Sequence, residues 1–167
     1  MIQRLFVAID LPPAIKEGLD LVCAGLAEAS WSNMHQLHIT LRFIGDSDLE
    51  RMAEIKECLQ GVLAKQFSLR IQGLGYFPQR KSEQLIWAGL DPSQGASELV
   101  ALKQAIDKVL GPLQIKKDRR AFVPHVTLAR LAHTPLPAVE AYLSQHGAYT
   151  SSTFAEDAFQ LFASRLT

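Results

Sequence analysis

The sequence predicts a mixed helix and strand chain built as two similar lobes about a pseudo-two-fold axis, with equivalent strands facing each other. Three observations predict it. The strand-like run Leu5-Phe6-Val7-Ala8-Ile9-Asp10 resembles Ile86-Trp87-Ala88-Gly89-Leu90-Asp91, and proline follows each within two residues. A long amphipathic stretch comes next in both halves. Then a strand carries one four-residue pattern twice, as His38-Ile39-Thr40-Leu41 and as His125-Val126-Thr127-Leu128. The strands are offset by 91 − 10 = 81 positions and the motifs by 125 − 38 = 87. The difference fits one extended loop, and the basic stretch Lys116-Lys117-Asp118-Arg119-Arg120 is the obvious place for it.

Residues 5–9 are apolar and partly β-branched, which suits a buried strand. Asp10-Leu11-Pro12-Pro13 closes it and opens a helix, with Asp10 as a cap and proline tolerated in the first turn. Over residues 14–29, Ile15, Leu19, Val22, Leu26 and Ala29 recur at helical spacing and define one buried face. Residues 37–44 read as a strand ended by Gly45-Asp46. Residues 47–64 read as a second helix, with Leu49, Met52, Ile55, Leu59 and Leu63 on its stripe. Residues 67–71 alternate like a strand that Gly73, Gly75 and Pro78 break, before a polar loop at 80–83. Residues 85–90 form a buried strand. Residues 96–110 form a helix stopped by Gly111-Pro112. A short strand at 113–115, the basic loop and a strand at 123–131 come next. A helix over 138–145 and one or two strands within 154–162 complete the chain.

With 167 residues, nearly half of them apolar, the chain can bury a core as one unit, residues 1–167, of two interleaved lobes. Lys plus Arg and Asp plus Glu both total 17, so there is no net charge. That argues against bulk nucleic-acid binding, which needs basic excess, and leaves room for a local basic cleft. Cys23 and Cys58 stand apart in helical segments and read as reduced, buried thiols. No leader segment is visible, and no apolar run approaches the ~20 residues of a membrane span. The expectation is a soluble cytoplasmic protein.

In a strand, residues two apart share a face. His38 and Thr40 therefore point one way, with Ile39, Leu41 and Phe43 opposite. His125 and Thr127 share a face opposite Val126 and Leu128. Two imidazoles and two hydroxyls around one space suit an in-line displacement at phosphorus. One imidazole takes a proton from the attacking oxygen and the other protonates the leaving oxygen, both near neutral pH. The hydroxyls donate to non-bridging oxygens as charge builds. Either histidine alone would read as a structural group in a sheet; the matched pair points to catalysis. As a metal set the pair is poor, lacking Asp, Glu or Cys at ligand spacing. His35, His133 and His146 read as peripheral, Trp31 and Trp87 as core. Tyr76 and Phe77 are placed either to stack on a base or to pack at a rim. The basic stretch is either an RNA-backbone contact or a solvated loop.

These motifs, with Arg4 to Ile9, the tail Arg42-Phe43-Ile44-Gly45, Tyr76-Phe77-Pro78, residues 85–89 and the flanks Phe122-Val123-Pro124 and Ala129-Arg130, resemble the 2H phosphoesterase superfamily. The similarity is greatest to its bacterial and archaeal RNA 2′,3′-cyclic phosphodiesterases, also described as 2′-5′ RNA ligases, and covers nearly the whole chain. The resemblance implies a bilobal α+β fold, with antiparallel sheets lining a central cleft and helices outside. It implies hydrolysis of RNA 2′,3′-cyclic phosphate ends to 2′-phosphomonoesters, and a weaker reverse joining through a 2′-5′ linkage. His38 would be the proton donor and His125 the acceptor. The acid-base reading needs no cofactor and no metal, and the expectation is a monomer. The partner would be an RNA end, tRNA-like fragments included. A second possibility is a relative acting on other cyclic nucleotides or 2′-5′ oligonucleotides, and a third is a module that binds RNA ends without turnover. The family pattern also suggests Arg130 as a phosphate ligand. Strict alternation instead puts Arg130 behind His125 and Arg42 beside His38. Either a bulge re-aims Arg130 or it supports the site from behind.

Overall fold

The computed structural model describes residues 1–78, 84–117 and 121–164. Strand β1 (Gln3–Asp10) buries Leu5, Val7, Ala8 and Ile9, as befits a strand with neighbours on both edges. Helix α1 (Pro13–Asp20) is half the length the apolar spacing predicts. Ile15 and Leu19 are buried from the helix, while Val22 and Leu26 are buried from an irregular segment after it. Gly25, with φ of 86°, takes the left-handed backbone that helps lead the chain out of the helix and into β2 (Ala29–Trp31), a strand the sequence did not signal. Asp10 is not the cap of α1. Pro12 occupies that position, and Asp10 ends β1 in an ion pair with Lys16 at 2.7 Å.

Strand β3 (His38–Ser47) runs past Gly45-Asp46 because its pairing with β1 continues to Gln3. Helix α2 (Leu49–Leu59) starts at Asp48, whose side chain accepts from the Arg51 amide, and ends before Leu63, which is exposed. The glycines expected to break the next strand do not. β4 (Phe67–Leu69) is followed by β5 (Ile71–Phe77), which runs through them. Gly75 marks a close approach instead: a Cβ there would meet the Trp87 ring at 2.1 Å. β6 (Gln84–Leu90) and α3 (Ala96–Leu110) lie where the pattern put them. At Gly111–Leu113 the chain forms a 3-10 turn rather than a strand. β7 (Val126–Leu131), α4 (Leu136–His146), β8 (Phe154–Glu156) and β9 (Gln160–Ser164) follow. The polar loop at 80–83 and residues 118–120 of the basic stretch lie outside the described residues.

Seven strands form one antiparallel sheet in the order β5-β6-β7-β3-β1-β9, with β2 on β7; β4 and β8 make a second, small sheet. The order is symmetric about the β7–β3 junction, so β7 answers to β3, β6 to β1 and β5 to β9. Helices α2 and α3 pack together and against β3, and α4 packs on β5. The α+β class and the two-lobed plan are those the sequence predicts. None of the helices among the described residues is long and apolar enough to cross a membrane.

The junction itself is the pair Ile39–Val126, both fully buried. Each is the residue after its motif histidine, so the pseudo-axis passes between the two motifs. Both motif strands also carry a bulge at one place. Val7 pairs Arg42 and Ala8 pairs Thr40, skipping Leu41; Ile86 pairs Ala129 and Trp87 pairs Thr127, skipping Leu128. These ladders match Ala8 to Trp87, so Asp10 corresponds to Gly89 and not to Asp91.

Candidate active site

The bulges decide which side chains face the cleft. In β3 the burial sequence is His38 half-buried, Ile39 buried, Thr40 exposed, then Leu41 and Arg42 both buried, and Phe43 exposed. In β7, Val126 is buried and Thr127 half-buried, Leu128 and Ala129 are both buried, and Arg130 is exposed. The extra residue resets the alternation. Arg130 therefore comes to the face of His125 and Thr127, and Arg42 turns into the interior, where it is 3% exposed and pairs with Asp107 at 2.7 Å. Simple alternation gave the opposite placement of both arginines.

The two histidines are held alike. His38 Nδ1 lies 2.6 Å from the Gln36 carbonyl oxygen, and His125 Nδ1 lies 2.7 Å from that of Val123. A carbonyl only accepts, so these bonds assign the proton of each neutral ring to Nδ1 and leave Nε2 for exchange. His38 Nε2 is 3.1 Å from the Thr40 hydroxyl, which donates to it when the ring is neutral. The Thr40 hydroxyl is thus engaged by its own histidine. The approach to His38 is tied down by Asn33, whose side chain accepts from the His35 amide, and by Lys16, which donates to the His35 carbonyl.

Aromatic rings wall both sides. His38 sits 5.0 Å from Phe6 and 6.1 Å from Phe162, which stack on each other. His125 meets Phe77 edge-on at 5.3 Å, and Phe77 in turn leans on Trp87. Of the two candidate stacking residues, Phe77 reaches the site while Tyr76 packs against the core. Phe6, Phe162 and the carbonyls of Gln36 and Val123 went unmarked in the sequence. Phe6 was findable, because it lies in the strand that the repeat sets beside the first motif. Trp31 packs on Tyr142, and Cys23 and Cys58 are half-buried free thiols.

Burial pushes the His38 imidazole below its ordinary pKa, and the nearby charges of Lys16 and His125 push the same way. The Gln36 carbonyl and the Asp10 carboxylate oppose this. Among the described residues, no group of three His, Cys, Asp or Glu side chains is placed to hold a metal ion.

A family model described as the 2′-5′ RNA ligase superfamily matches residues 6–165. The chain belongs to this superfamily. A curated relative from Aeropyrum pernix named RNA 2′,3′-cyclic phosphodiesterase is 35% identical over 66% of this chain and 62% of its own length. A Methanocaldococcus jannaschii relative of the same name is 32% identical over 77% of this chain and 72% of its own. The match to a Geobacillus stearothermophilus relative spans 42% of that protein. Among solved structures, E. coli LigT complexed with 3′-AMP covers the whole chain and 91% of its own, with a TM-score of 0.79 at 23% identity. At that identity the likeness speaks for the fold.

Proposed function

We propose that this member of the superfamily hydrolyses 2′,3′-cyclic phosphate ends of RNA to 2′-phosphomonoesters, using His38 and His125 as acid and base and no metal. The observation that carries the reading is the matched pair of rings at the pseudo-axis, each clasped at Nδ1 with Nε2 left for exchange. The names of the curated relatives support the substrate class.

In the forward reaction His125 Nε2 takes a proton from water as the water oxygen bonds to phosphorus. The bond from phosphorus to the 3′ oxygen breaks, and His38 Nε2 protonates that oxygen. The product carries a 2′-phosphate and a 3′-hydroxyl. A 5′-hydroxyl replacing water gives a 2′-5′ linkage by the same steps. Thr40, Thr127 and Arg130 supply donors to the non-bridging oxygens. Thr40 releases His38 Nε2 as it turns to the phosphate.

The test is a short RNA ending in a 2′,3′-cyclic phosphate, incubated with excess chelator. Expected is a 2′-phosphomonoester in multiple turnovers. Binding without product makes the chain an end-binding module, and loss of turnover with chelator removes the metal-free mechanism. Arg130→Ala lowers kcat/KM by about tenfold or more, the scale of a hydrogen bond to a charged group. An unchanged kcat/KM takes Arg130 off the phosphate.

The pH dependence has a defined sign. A donor must carry its proton, and burial biases the unliganded His38 towards the neutral form. The His38 limb of kcat/KM, which reports the free enzyme, therefore falls off below the ordinary histidine range as pH rises. A bound phosphodiester anion favours the imidazolium, so the same limb in kcat moves to higher pH. Identical limbs in the two profiles remove His38 as the donor.

A further inference from the structure

The approaches to the two histidines are built differently. The segment before His38 contains β2 and a 3-10 turn at Met34–Gln36, locked by Asn33 and Lys16. The segment before His125 has no helix or strand among its described residues 115–117 and 121–125. Yet it must present the Val123 carbonyl to His125 Nδ1 as firmly as the turn presents Gln36 to His38.

Arg42 supplies an anchor. The bulge at Leu41 turns it inward, where Nη1 donates to Asp107 on α3 at 2.7 Å and Nη2 to the carbonyls of Ile115 and Lys116 at 3.1 and 3.4 Å. Asp107 also binds Lys103 at 3.1 Å, and the Lys103 ammonium lies 5.6 Å from the centre of the Phe122 ring. Phe122 immediately precedes Val123. Arg51 of α2 adds a bond to the Leu113 carbonyl. One charged cluster on β3 and α3 thus grips both described ends of the approach. The repeat offers nothing like it elsewhere, since the counterpart of Arg42 is Ala129.

We infer that Arg42, acting through Asp107 and Lys103, is a positioning residue for His125: it fixes the Val123 carbonyl and with it the His125 ring and tautomer. The inference rests on the acid–base role proposed for His125. Arg42 itself does not touch the substrate, because it is buried on the far side of β3 from Thr40.

The experiment compares wild type, Arg42→Met and Arg42→Lys by imidazole nitrogen NMR and by kinetics on the cyclic-ended RNA. In Arg42→Met, Asp107 keeps Lys103 as its counter-ion. Expected in wild type is the Nδ1-protonated form of neutral His125. In Arg42→Met, His125 moves towards a mixture of tautomers while His38 does not. kcat falls by about ten- to a hundredfold, the scale of a group displaced by about 1 Å, with KM close to wild type. Arg42→Lys, which keeps the charge but not the fork, recovers part of the loss. An unmoved His125 tautomer in folded Arg42→Met overturns the inference, as does a loss confined to KM. Should Arg42→Met not fold, Lys103→Met decides, since it cuts the link to Phe122 and leaves Asp107 paired with Arg42: the same tautomer change supports the inference and its absence overturns it. The NMR readout needs no turnover. Inactive wild type with a responsive tautomer sinks the functional reading alone, and active wild type with an indifferent tautomer sinks only the positioning.

Discussion

Alanine at His38 or at His125 cuts hydrolysis of a 2′,3′-cyclic-ended oligoribonucleotide by about 10²–10⁴-fold, the usual worth of a positioned acid or base. Neither ring is fully buried, so both variants keep the fold. The double variant loses much less than the product of the two single losses, because the rings act in one displacement. The measurement is single-turnover rates for the three variants beside wild type. Near-wild-type rates in either single variant would remove the two-imidazole mechanism. Full additivity would mean that the rings act in separate steps.

Ile39→Ala destabilises the protein by about 2–5 kcal/mol, the range for emptying a fully buried aliphatic site. Ile39 is wholly inaccessible and forms, with Val126, the junction of β3 and β7. Urea denaturation reads the loss as a lower midpoint with an unchanged slope. The same change also lowers kcat in the folded variant, because the junction sets the spacing of the two histidines. Leu69→Ala is the control. It empties an equally buried site on β4, in the small second sheet, and costs comparable stability, with kcat unchanged. If the two variants lose kcat alike, the junction has no special hold on the site.

Much of the site was legible because it is written in strands, where a two-residue period assigns faces without further information. His38, Thr40 and Thr127 lie in strands before the bulges, and the period holds for them; His125 falls just ahead of β7, which starts at Val126 rather than at Val123. Arg42 and Arg130 lie after the bulges, and there the period inverts. A bulge is a property of pairing with a second strand, so no local pattern announces it. The helices erred in a different way. Spacing marks Val22 and Leu26 as buried, which they are, yet burial from an irregular segment leaves the same trace as burial from a helix. Gly73 and Gly75 misled because a left-handed backbone at the first and close approach of the Trp87 ring at the second call for glycine just as chain termination does. The cluster joining Arg42, Asp107, Lys103 and Phe122 was invisible, since it links residues far apart in sequence through tertiary packing alone.

The paired bulges carry a consequence for how such a chain tolerates change in length. Each bulge is one surplus residue, held at the same place in two strands that must meet at Ile39 and Val126. Exchanging Leu41 or Leu128 for another aliphatic residue leaves every later side chain where it was. Deleting either one restores plain alternation across that point and leaves the later side chains on the faces they already occupy. In β7 the deletion keeps Ala129 inward and Arg130 on the face of Thr127; in β3 it keeps Arg42 inward and Phe43 exposed. The paired inward residues at each bulge are therefore the place where a deletion spares the faces beyond it, whereas a deletion between each histidine and its bulge inverts them.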